Sequence, residues 1–322
     1  MHASTPRILL RVASGPRRGF GHVVRALRLA DQLTGSVWIS CDGPMPPLSR
    51  APHVQLAAGG IRTLDSVRPD LLVLDTPVAA DGQRWLTAAR RRGLAVASIH
   101  DRGIAPLASD LAIDGSVAAR GSISGARRTL VGPRFMVIDP RVASGPHASV
   151  DALLVVIALG GGPRVRLAQT LAENIVRLTP RARVVVAAGF VAGGTAPSAA
   201  TSSIQWLGPR ESLVDVLSQA AVAVVAGGVT LYEAAALGVP TVAVPIVASQ
   251  VPTVRAFARA GATIAPRSSD GIDPGAIAGA VRRLMVDRTH ARRLAARGRH
   301  LVDGRGTERV ARALHALAGG AR

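Results

Sequence analysis

The chain has 322 residues, which is more than one compact domain usually needs, so two domains of roughly 150 residues are expected. Aromatic residues make up only 2% of the chain, which argues against a module that binds nucleic acid or glycans mainly by stacking. The single cysteine, Cys41, excludes an internal disulfide and a cysteine-based metal site.

The formal net charge is +19, and all 39 lysine-plus-arginine positions are arginine. Such an excess attracts polyanions, phosphates or an acidic membrane surface. A genome that favours arginine codons explains it equally well. The arginines are scattered over predicted helix surfaces, so clusters such as 90–92 and 292–293 are interpreted as solvated helix faces.

The first half of the chain alternates strands with helices. Residues 7–13 form a strand-like run, and apolar residues recur at helical spacing from 21 to 33. Further strands are predicted at 37–40, 71–74 and 94–99, the second of which leads into Asp75. Asp81 is expected to cap a helix that runs to about residue 92 and stops at Gly93.

The second half repeats this alternation after a linker candidate at 140–150, which is rich in glycine, proline and serine. Strands are predicted at 153–159, 184–188, 222–226 and 241–244. Helices are predicted at 164–178, 211–219, 229–237, from 250 onward, and near 273–286, 288–297 and 306–318. The apolar stretch 216–254 is broken by glycine and proline into pieces too short to span a bilayer. A strand-like run as early as residue 7 leaves no room for a signal peptide, so a cytoplasmic protein is expected.

Strand–helix alternation in both halves predicts an α/β protein with two Rossmann-like, doubly wound parallel sheets. Sheets of this kind bind ligands outside the carboxyl ends of their strands. We therefore expect an N-terminal domain over 1–142, a C-terminal domain over 148–305, and a ligand cleft between them. A last helix is expected over 306–322, and in one arrangement this helix packs back on the N-terminal domain.

The loop after the first strand ends in Gly19-Phe20-Gly21-His22. Its glycines permit a tight turn close to a ligand, and the following helix offers free N–H groups and a positive dipole end. A histidine there is expected to be neutral and able to accept a proton. His22 is therefore the candidate catalytic residue, and the alternative is a surface histidine that caps the helix incidentally.

A second loop, Gly227-Gly228-Val229-Thr230, again follows a strand and opens a helix. Its backbone amides and the Thr230 hydroxyl suit a diphosphate. Glu233 lies one turn further on and is the only charge for many residues on either side, so it is a candidate for binding two vicinal hydroxyls of a ribose. The alternative for Glu233 is a capping-box partner at the helix start.

Two further segments follow predicted strands that would face the same cleft. Gly160-Gly161-Gly162 makes room for a ligand or for the opposite domain, and Gly161 is assigned to the diphosphate site. Ser249-Gln250 offers an amide that bonds sugar hydroxyls. Simple turn chemistry explains both segments equally well.

Several motifs together resemble one known family. They are GFGHVVRALRLA at 19–30, RPDLLVLD at 68–75, LVGPR at 130–134, GGVTLYEAAALGVP at 227–240 and the pair at 249–250. In this order they resemble the UDP-sugar hydrolase of pseudaminic acid biosynthesis and the related spore-coat polysaccharide biosynthesis proteins. The resemblance runs over nearly the whole chain.

The resemblance implies the GT-B fold of the peptidoglycan N-acetylglucosaminyltransferase, and it implies a reaction without metal or other cofactor. His22 would be the general base, Gly228 to Thr230 would hold the diphosphate with Gly227, and Glu233 would bind the ribose. Residues assigned to the sugar are Gly21, Arg25, Asp75, Ser249 and Gln250.

Three departures from the family's pattern lie on the sugar side. Ser249 stands where the family has asparagine, Thr76-Pro77 stands where it has an aromatic residue, and His100-Asp101 replaces a pair of aspartates. The resemblance therefore does not fix the sugar or the acceptor.

The function expected from these observations is inverting hydrolysis of a UDP-linked amino or deoxy sugar, which releases UDP and free sugar for surface polysaccharide biosynthesis. Transfer of the sugar to a saccharide or lipid acceptor is the first alternative, and non-catalytic binding of a nucleotide-sugar is the second. The expected partner is a nucleotide-diphosphate sugar. Nucleic acid and an integral membrane segment are not expected, and peripheral membrane contact is left open.

Overall fold

A computed structural model describes residues 5–15, 20–45, 51–100, 106–119, 123, 125–145, 150–160, 164–187, 203–207, 212–266 and 271–320. The chain divides into two compact units, one formed by residues 1–140 with 305–322 and the other by residues 141–304. Each unit is built around one parallel sheet.

The strands of the described residues are β1 Arg7–Val12, β2 Ser36–Cys41, β3 Val54–Ala57, β4 Leu71–Asp75, β5 Ala95–Ile99, β6 Leu111–Asp114, β7 Arg128–Val131, β8 Asp151–Ala158, β9 Arg183–Ala187, β10 Ile204–Leu207, β11 Ala220–Ala226 and β12 Thr241–Val244. Their helices are α1 Gly21–Ala30, α2 Thr63–Val67, α3 Ala79–Arg90, α4 Val165–Leu178, α5 Leu213–Gln219, α6 Val229–Leu237, α7 Val251–Arg259, α8 Pro274–Val286, α9 Arg288–Leu301 and α10 Gly306–Gly319. Short 3-10 turns lie at Pro133–Phe135, Pro140–Ser144 and Ala248–Gln250.

The sheet of the first unit has seven strands in the order β3-β2-β1-β4-β5-β6-β7. The direction in which strands are added reverses between β1 and β4, and a parallel α/β sheet binds ligands at such a point. Val12 at the end of β1 is paired with Asp75 at the end of β4. The loop after β1 and the end of β4 therefore meet at the position where this fold places a ligand.

The side chains of β1 alternate between two apolar layers. Ile8 and Leu10 pack on the side of α1 and α10, whereas Leu9 packs on the opposite side with Trp85 of α3. The last helix belongs to this unit, because Leu314 and its apolar neighbours on α10 are buried in the same cluster as Ile8. Burial of these aliphatic chains is the main favourable term that holds the sheet between its helices.

The sheet of the second unit has five strands in the order β10-β9-β8-β11-β12. Its reversal point lies between β8 and β11, so the loops after those two strands flank the expected ligand position. Helix α6 is buried on nearly every side, as expected for a helix with no polar face. Gly238 ends it in the left-handed conformation, with φ of +72°, that glycine adopts without steric cost.

The two parallel sheets flanked by helices confirm the predicted fold class. Five short elements of four or five residues, β3, β6, β7, β10 and α2, were not predicted from the sequence. The first helix ends at Ala30, earlier than predicted, because residues 31–33 are bonded as a turn.

The expected helix cap at Asp81 was wrong. Helix α3 begins at Ala79 with Val78 in the N-cap position, so Asp81 lies inside the first turn. Its carboxylate accepts hydrogen bonds from Arg84 at 3.0 Å and from Arg11 at 3.5 Å. A carboxylate in the first turn also interacts favourably with the helix dipole.

Within the described residues, no helix combines the length and the apolar character that crossing a membrane requires.

Candidate functional site

His22 is the second residue of α1, directly after the loop that follows β1. The N-cap position is Phe20, and no side chain caps this helix. The reading of His22 as an incidental helix cap is therefore wrong. Gly21 is exposed, and a Cβ atom built on it would meet no atom of the described residues within 4 Å.

Three side chains converge at this position. Nδ1 of His22 lies 2.8 Å from Oδ1 of Asp75. Arg25, one helical turn after His22, donates from Nε to Oδ2 of Asp75 at 2.8 Å and from Nη2 to Oδ1 at 2.6 Å. Only 4% of the Asp75 side chain and 6% of the Arg25 side chain are exposed, compared with 16% for His22. His22 is thus the member of the cluster that faces outward.

The Asp75 carboxyl is ionised. Burial alone would raise its pKa, but the charges of Arg25 and His22 and their hydrogen bonds hold the pKa well below its usual range. An ionised carboxylate only accepts hydrogen bonds, so the proton between Nδ1 and Oδ1 belongs to His22. In the neutral form of this ring Nε2 carries the lone pair, and it makes no hydrogen bond to any described residue. This arrangement suits a general base.

Arg25 and Asp75 were predicted to contact the sugar. The structure brings them together with His22, and their paired polar atoms are turned toward one another. Contact of either residue with a sugar stays a prediction. The contact between Asp75 and His22 was not predicted, because the two residues are separated by 53 positions.

A second buried polar chain lies at the end of the neighbouring strand β5. Nε2 of His100 is 2.7 Å from Oγ of Ser98, which is 2.7 Å from Oγ of Ser109. His100 is one of the positions that depart from the resembled family, and it is only 4% exposed. Asp101, its partner in that comparison, lies outside the described residues. The sequence analysis did not identify Ser98 or Ser109, because isolated serines carry no pattern.

In the second unit, Gly227 and Gly228 connect β11 to α6. A Cβ atom on Gly227 would lie 2.7 Å from Cγ2 of Val254 and 3.0 Å from Cβ of Gln250, so the loop admits only glycine without displacement. No side chain caps α6, and Val229 and Thr230 in its first turn are partly exposed. The first N–H groups of this helix therefore remain available to an anion.

Gln250 lies beside the same loop. Its Oε1 accepts a hydrogen bond from the backbone N–H of Ile246 at 2.9 Å, and its Nε2 lies 3.8 Å from the Cβ position of Gly228. Its orientation leaves the amide N–H groups as donors near the glycines. Ser249 is exposed in the 3-10 turn that precedes α7.

Glu233 lies in the second turn of α6 and is 1% exposed. A capping-box glutamate occupies the third helical position, so the capping alternative for Glu233 is wrong. Its role toward a ribose stays a prediction.

The glycine run after β8 is described only in part. Gly160 is exposed and has φ of +83°, a conformation that favours glycine. Gly161 and Gly162 lie outside the described residues, so the assignment of Gly161 to a diphosphate stays a prediction. No group of three or more histidine, cysteine, aspartate or glutamate side chains within the described ranges is arranged to hold a metal ion.

The chain is similar in sequence to a curated protein and similar in fold to a number of solved structures. No protein-family model matches the chain. The spore coat polysaccharide biosynthesis protein SpsG of Bacillus subtilis (strain 168) is 24% identical over 331 residues, which cover 94% of this chain and 96% of that protein.

The solved structures that resemble this chain match almost its whole length. The glycotransferase of kitacinnamycin has a TM-score of 0.68 at 16% identity and covers 98% of this chain and 99% of its own. The calicheamicin glycosyltransferase CalG4 has a TM-score of 0.65 at 16% sequence identity, and the match covers 99% of both chains. UDP-GlcNAc 2-epimerase from Neisseria meningitidis, bound to UDP-GlcNAc, has a TM-score of 0.60 at 11% identity, and the match covers 96% of this chain and 99% of its own. The fold is therefore the GT-B fold, with two Rossmann-like halves.

Proposed function

We propose that this protein is an enzyme that cleaves a nucleotide-diphosphate sugar with inversion at the anomeric carbon, and that His22 is its general base. The observation that carries the proposal is the 2.8 Å contact between Nδ1 of His22 and Oδ1 of Asp75. This contact orients the imidazole, and Nε2 makes no hydrogen bond to any residue that the structure describes. A residue that serves only as part of the core would have both ring nitrogens enclosed.

The second unit supplies the features that suit the nucleotide. The loop Gly227–Gly228 precedes an uncapped helix, whose first amides and dipole favour a diphosphate. Gln250 offers its amide N–H groups beside this loop. We assign Val229 and Thr230 to the diphosphate, Glu233 to the ribose, and Ser249 with Gln250 to the sugar. UDP is the proposed nucleotide because of the resemblance of these motifs to a UDP-sugar enzyme.

In the proposed step, Nε2 of His22 removes a proton from a hydroxyl group of the acceptor. The oxygen of that hydroxyl forms a bond to the anomeric carbon as the bond from that carbon to the diphosphate oxygen breaks. The bonding electron pair leaves with the nucleoside diphosphate, and the amides at the start of α6 stabilise its charge. A positioned base of this kind typically contributes about 10²–10⁴-fold to the rate.

Transfer to an acceptor hydroxyl is the leading version of this reaction. Two of the structurally similar proteins described above are glycosyltransferases by name, and neither is a hydrolase. The relative from Bacillus subtilis takes part in polysaccharide biosynthesis by name, which favours a saccharide acceptor. The transferase therefore replaces hydrolysis, the function first expected from the sequence, as the principal proposal.

Hydrolysis is the second candidate, because the motifs at 19–30, 68–75 and 227–240 resemble those of a UDP-sugar hydrolase. The same base and the same leaving group serve both reactions. They differ only in whether the hydroxyl belongs to a saccharide or to water.

The proposal is tested by measuring nucleoside diphosphate release from a panel of UDP- and dTDP-sugars, with and without saccharide acceptors. Release that requires an acceptor and gives a new glycoside of inverted configuration supports the transferase. Release in water alone, with free sugar as product, supports the hydrolase. Tight binding of a nucleotide-sugar without release under either condition contradicts the enzymatic proposal.

A further inference from the structure

The contacts of Arg25 with Asp75 and His22 fit a positioning role better than a role in binding the sugar. We propose that Arg25 is a positioning residue that, through Asp75, orients the imidazole of His22 and holds it in the Nδ1–H tautomer. The inference rests on the proposed role of His22 as a base.

The contacts of Arg25 are directed at Asp75. Its Nε and Nη2 atoms bind the two carboxylate oxygens at 2.8 Å and 2.6 Å, a bidentate arrangement that fixes the plane of the carboxylate. Both side chains are buried, so these atoms do not face a ligand. The carboxylate plane in turn fixes the position of Oδ1, the atom that contacts His22.

The proton positions follow from the chemistry of the three groups. Nδ1 of His22 lies 2.8 Å from Oδ1 of Asp75 and 3.1 Å from Nη2 of Arg25. The guanidinium only donates hydrogen bonds and the carboxylate only accepts them. If Nδ1 lacked a proton, its lone pair would face the lone pairs of Oδ1 at 2.8 Å. Nδ1 therefore carries the proton, and Nε2 is the basic nitrogen.

Other charged groups on the elements packed against α1 have partners elsewhere or lie at the far end of their strand. Helix α1 contacts β1, β2 and α10. On β1, Arg11 is bonded to Asp81 of α3, Arg7 is exposed at the opposite end of the strand from His22, and β2 has no charged residue. On α10, Glu308 is paired with Arg312, Arg309 donates to the Arg134 carbonyl, and His315 accepts from Thr34. Among the described residues, Asp75 and Arg25 are thus the charged groups in hydrogen-bonding contact with the imidazole.

The first test is the steady-state kinetics of Arg25→Gln. Because the imidazole is no longer held through Asp75, kcat is expected to fall about tenfold or more, while KM for the nucleotide-sugar changes less than twofold. Arg25→Lys can still donate a hydrogen bond to Asp75 and is expected to recover part of kcat. Arg28→Gln, on the same helix, is the matched control and leaves kcat in place. A raised KM with an unchanged kcat would mean that Arg25 binds sugar, which overturns the inference.

The second test does not depend on turnover. In protein labelled with ¹⁵N-histidine, the His22 signals are identified by their loss in His22→Ala, and the tautomer is determined from the ¹⁵N chemical shifts of the two ring nitrogens. The wild type is expected to show the Nδ1–H tautomer, and Arg25→Gln is expected to show a mixture of the two tautomers. An Nε2–H tautomer in the wild type, or an unchanged population of the Nδ1–H tautomer in folded Arg25→Gln, overturns the inference. If the tautomers are as expected but no nucleotide-sugar is cleaved, the proposed function fails while the assignment of the tautomer stands.

Discussion

Gln250 packs directly against Gly227: a Cβ atom on the glycine would lie 3.0 Å from the Cβ atom and 3.1 Å from the carbonyl oxygen of Gln250. This contact joins the start of α7 to the loop that opens α6. The absence of a side chain at position 227 therefore sets the path of the proposed diphosphate loop.

Replacing Gly227 with alanine is expected to displace this loop. The added methyl group collides with Val254 and Gln250, and overpacking of this kind costs about 1–3 kcal/mol. We expect the affinity for UDP, measured by calorimetry, to fall about tenfold or more.

Gly279→Ala in α8 is the control, because a Cβ atom there meets no atom of the described residues within 4 Å. Alanine at 279 is expected to stabilise the helix by about 0.5–1 kcal/mol without changing affinity. Equal affinities for UDP in wild type, Gly227→Ala and Gly279→Ala would contradict the assignment of the loop at Gly227 to the diphosphate.

Glu233→Gln tests the assignment of Glu233 to the ribose. The substitution preserves the shape of a side chain that is 1% exposed, and it removes the charge that would accept hydrogen bonds from two hydroxyls. We expect the affinity for UDP to fall about tenfold, with little change for 2′,3′-dideoxy-UDP. The same loss for both nucleotides would show that Glu233 acts on the structure of α6 and not on the ribose.

Thr307 is expected to hold α10 to the first unit. Its hydroxyl is fully buried, accepts a hydrogen bond from the Ile138 N–H and donates one to the Ile138 carbonyl. Thr307→Val keeps the shape but leaves both backbone groups without their partner, so we expect a loss of about 1–3 kcal/mol in denaturant unfolding. Thr307→Ser keeps the hydroxyl, so its free energy of unfolding should fall by less. A valine variant as stable as the serine variant would show that the hydroxyl does not anchor the helix.

His315 is expected to make the attachment of α10 sensitive to pH. Burial lowers its pKa, and its Nε2 accepts a hydrogen bond from the Thr34 N–H at 3.1 Å, which requires an unprotonated nitrogen. Because the folded-state pKa is below the unfolded value, this contribution is present above about pH 6.5 and is lost as the pH falls through the folded-state pKa.

Hydrogen exchange of the α10 amides measures this effect. We expect their protection to decrease between pH 7.5 and pH 5.5, after correction for intrinsic rates, and His315→Gln to remove most of the difference. His300→Gln on α9, where the histidine is exposed, is the matched control. Retention of the full pH effect in His315→Gln would contradict the role of this contact.

The sequence predicted the bounds of strands and helices well where glycine or proline residues lie at both ends of the element. Strand β12 and helix α6 were predicted with the bounds that the structure shows, since glycine and proline mark both ends of each. Strands β6 and β7 have four residues, as β12 does, but they were missed because glycine or proline marks only the end of each.

The sequence also predicted that the loops at His22 and Gly227 follow parallel strands, which is where such sheets bind ligands. It did not predict the partner of His22. The pairing of Val12 with Asp75 brings the end of β4 beside the start of α1, and register between distant strands depends on the packing of the whole sheet. Arg25 was assigned to the sugar because its bidentate contact with Asp75 is visible only in three dimensions.

The central claim is that Nε2 of His22 is the base in cleavage of a nucleotide-sugar. Its most direct test is the rate of nucleoside diphosphate release by wild type and His22→Ala, measured with saturating nucleotide-sugar and acceptor. We expect kcat to fall about 10²–10⁴-fold, with an unchanged affinity for UDP, because His22 lies outside the proposed nucleotide loop. Turnover by His22→Ala at the wild-type rate would contradict the account.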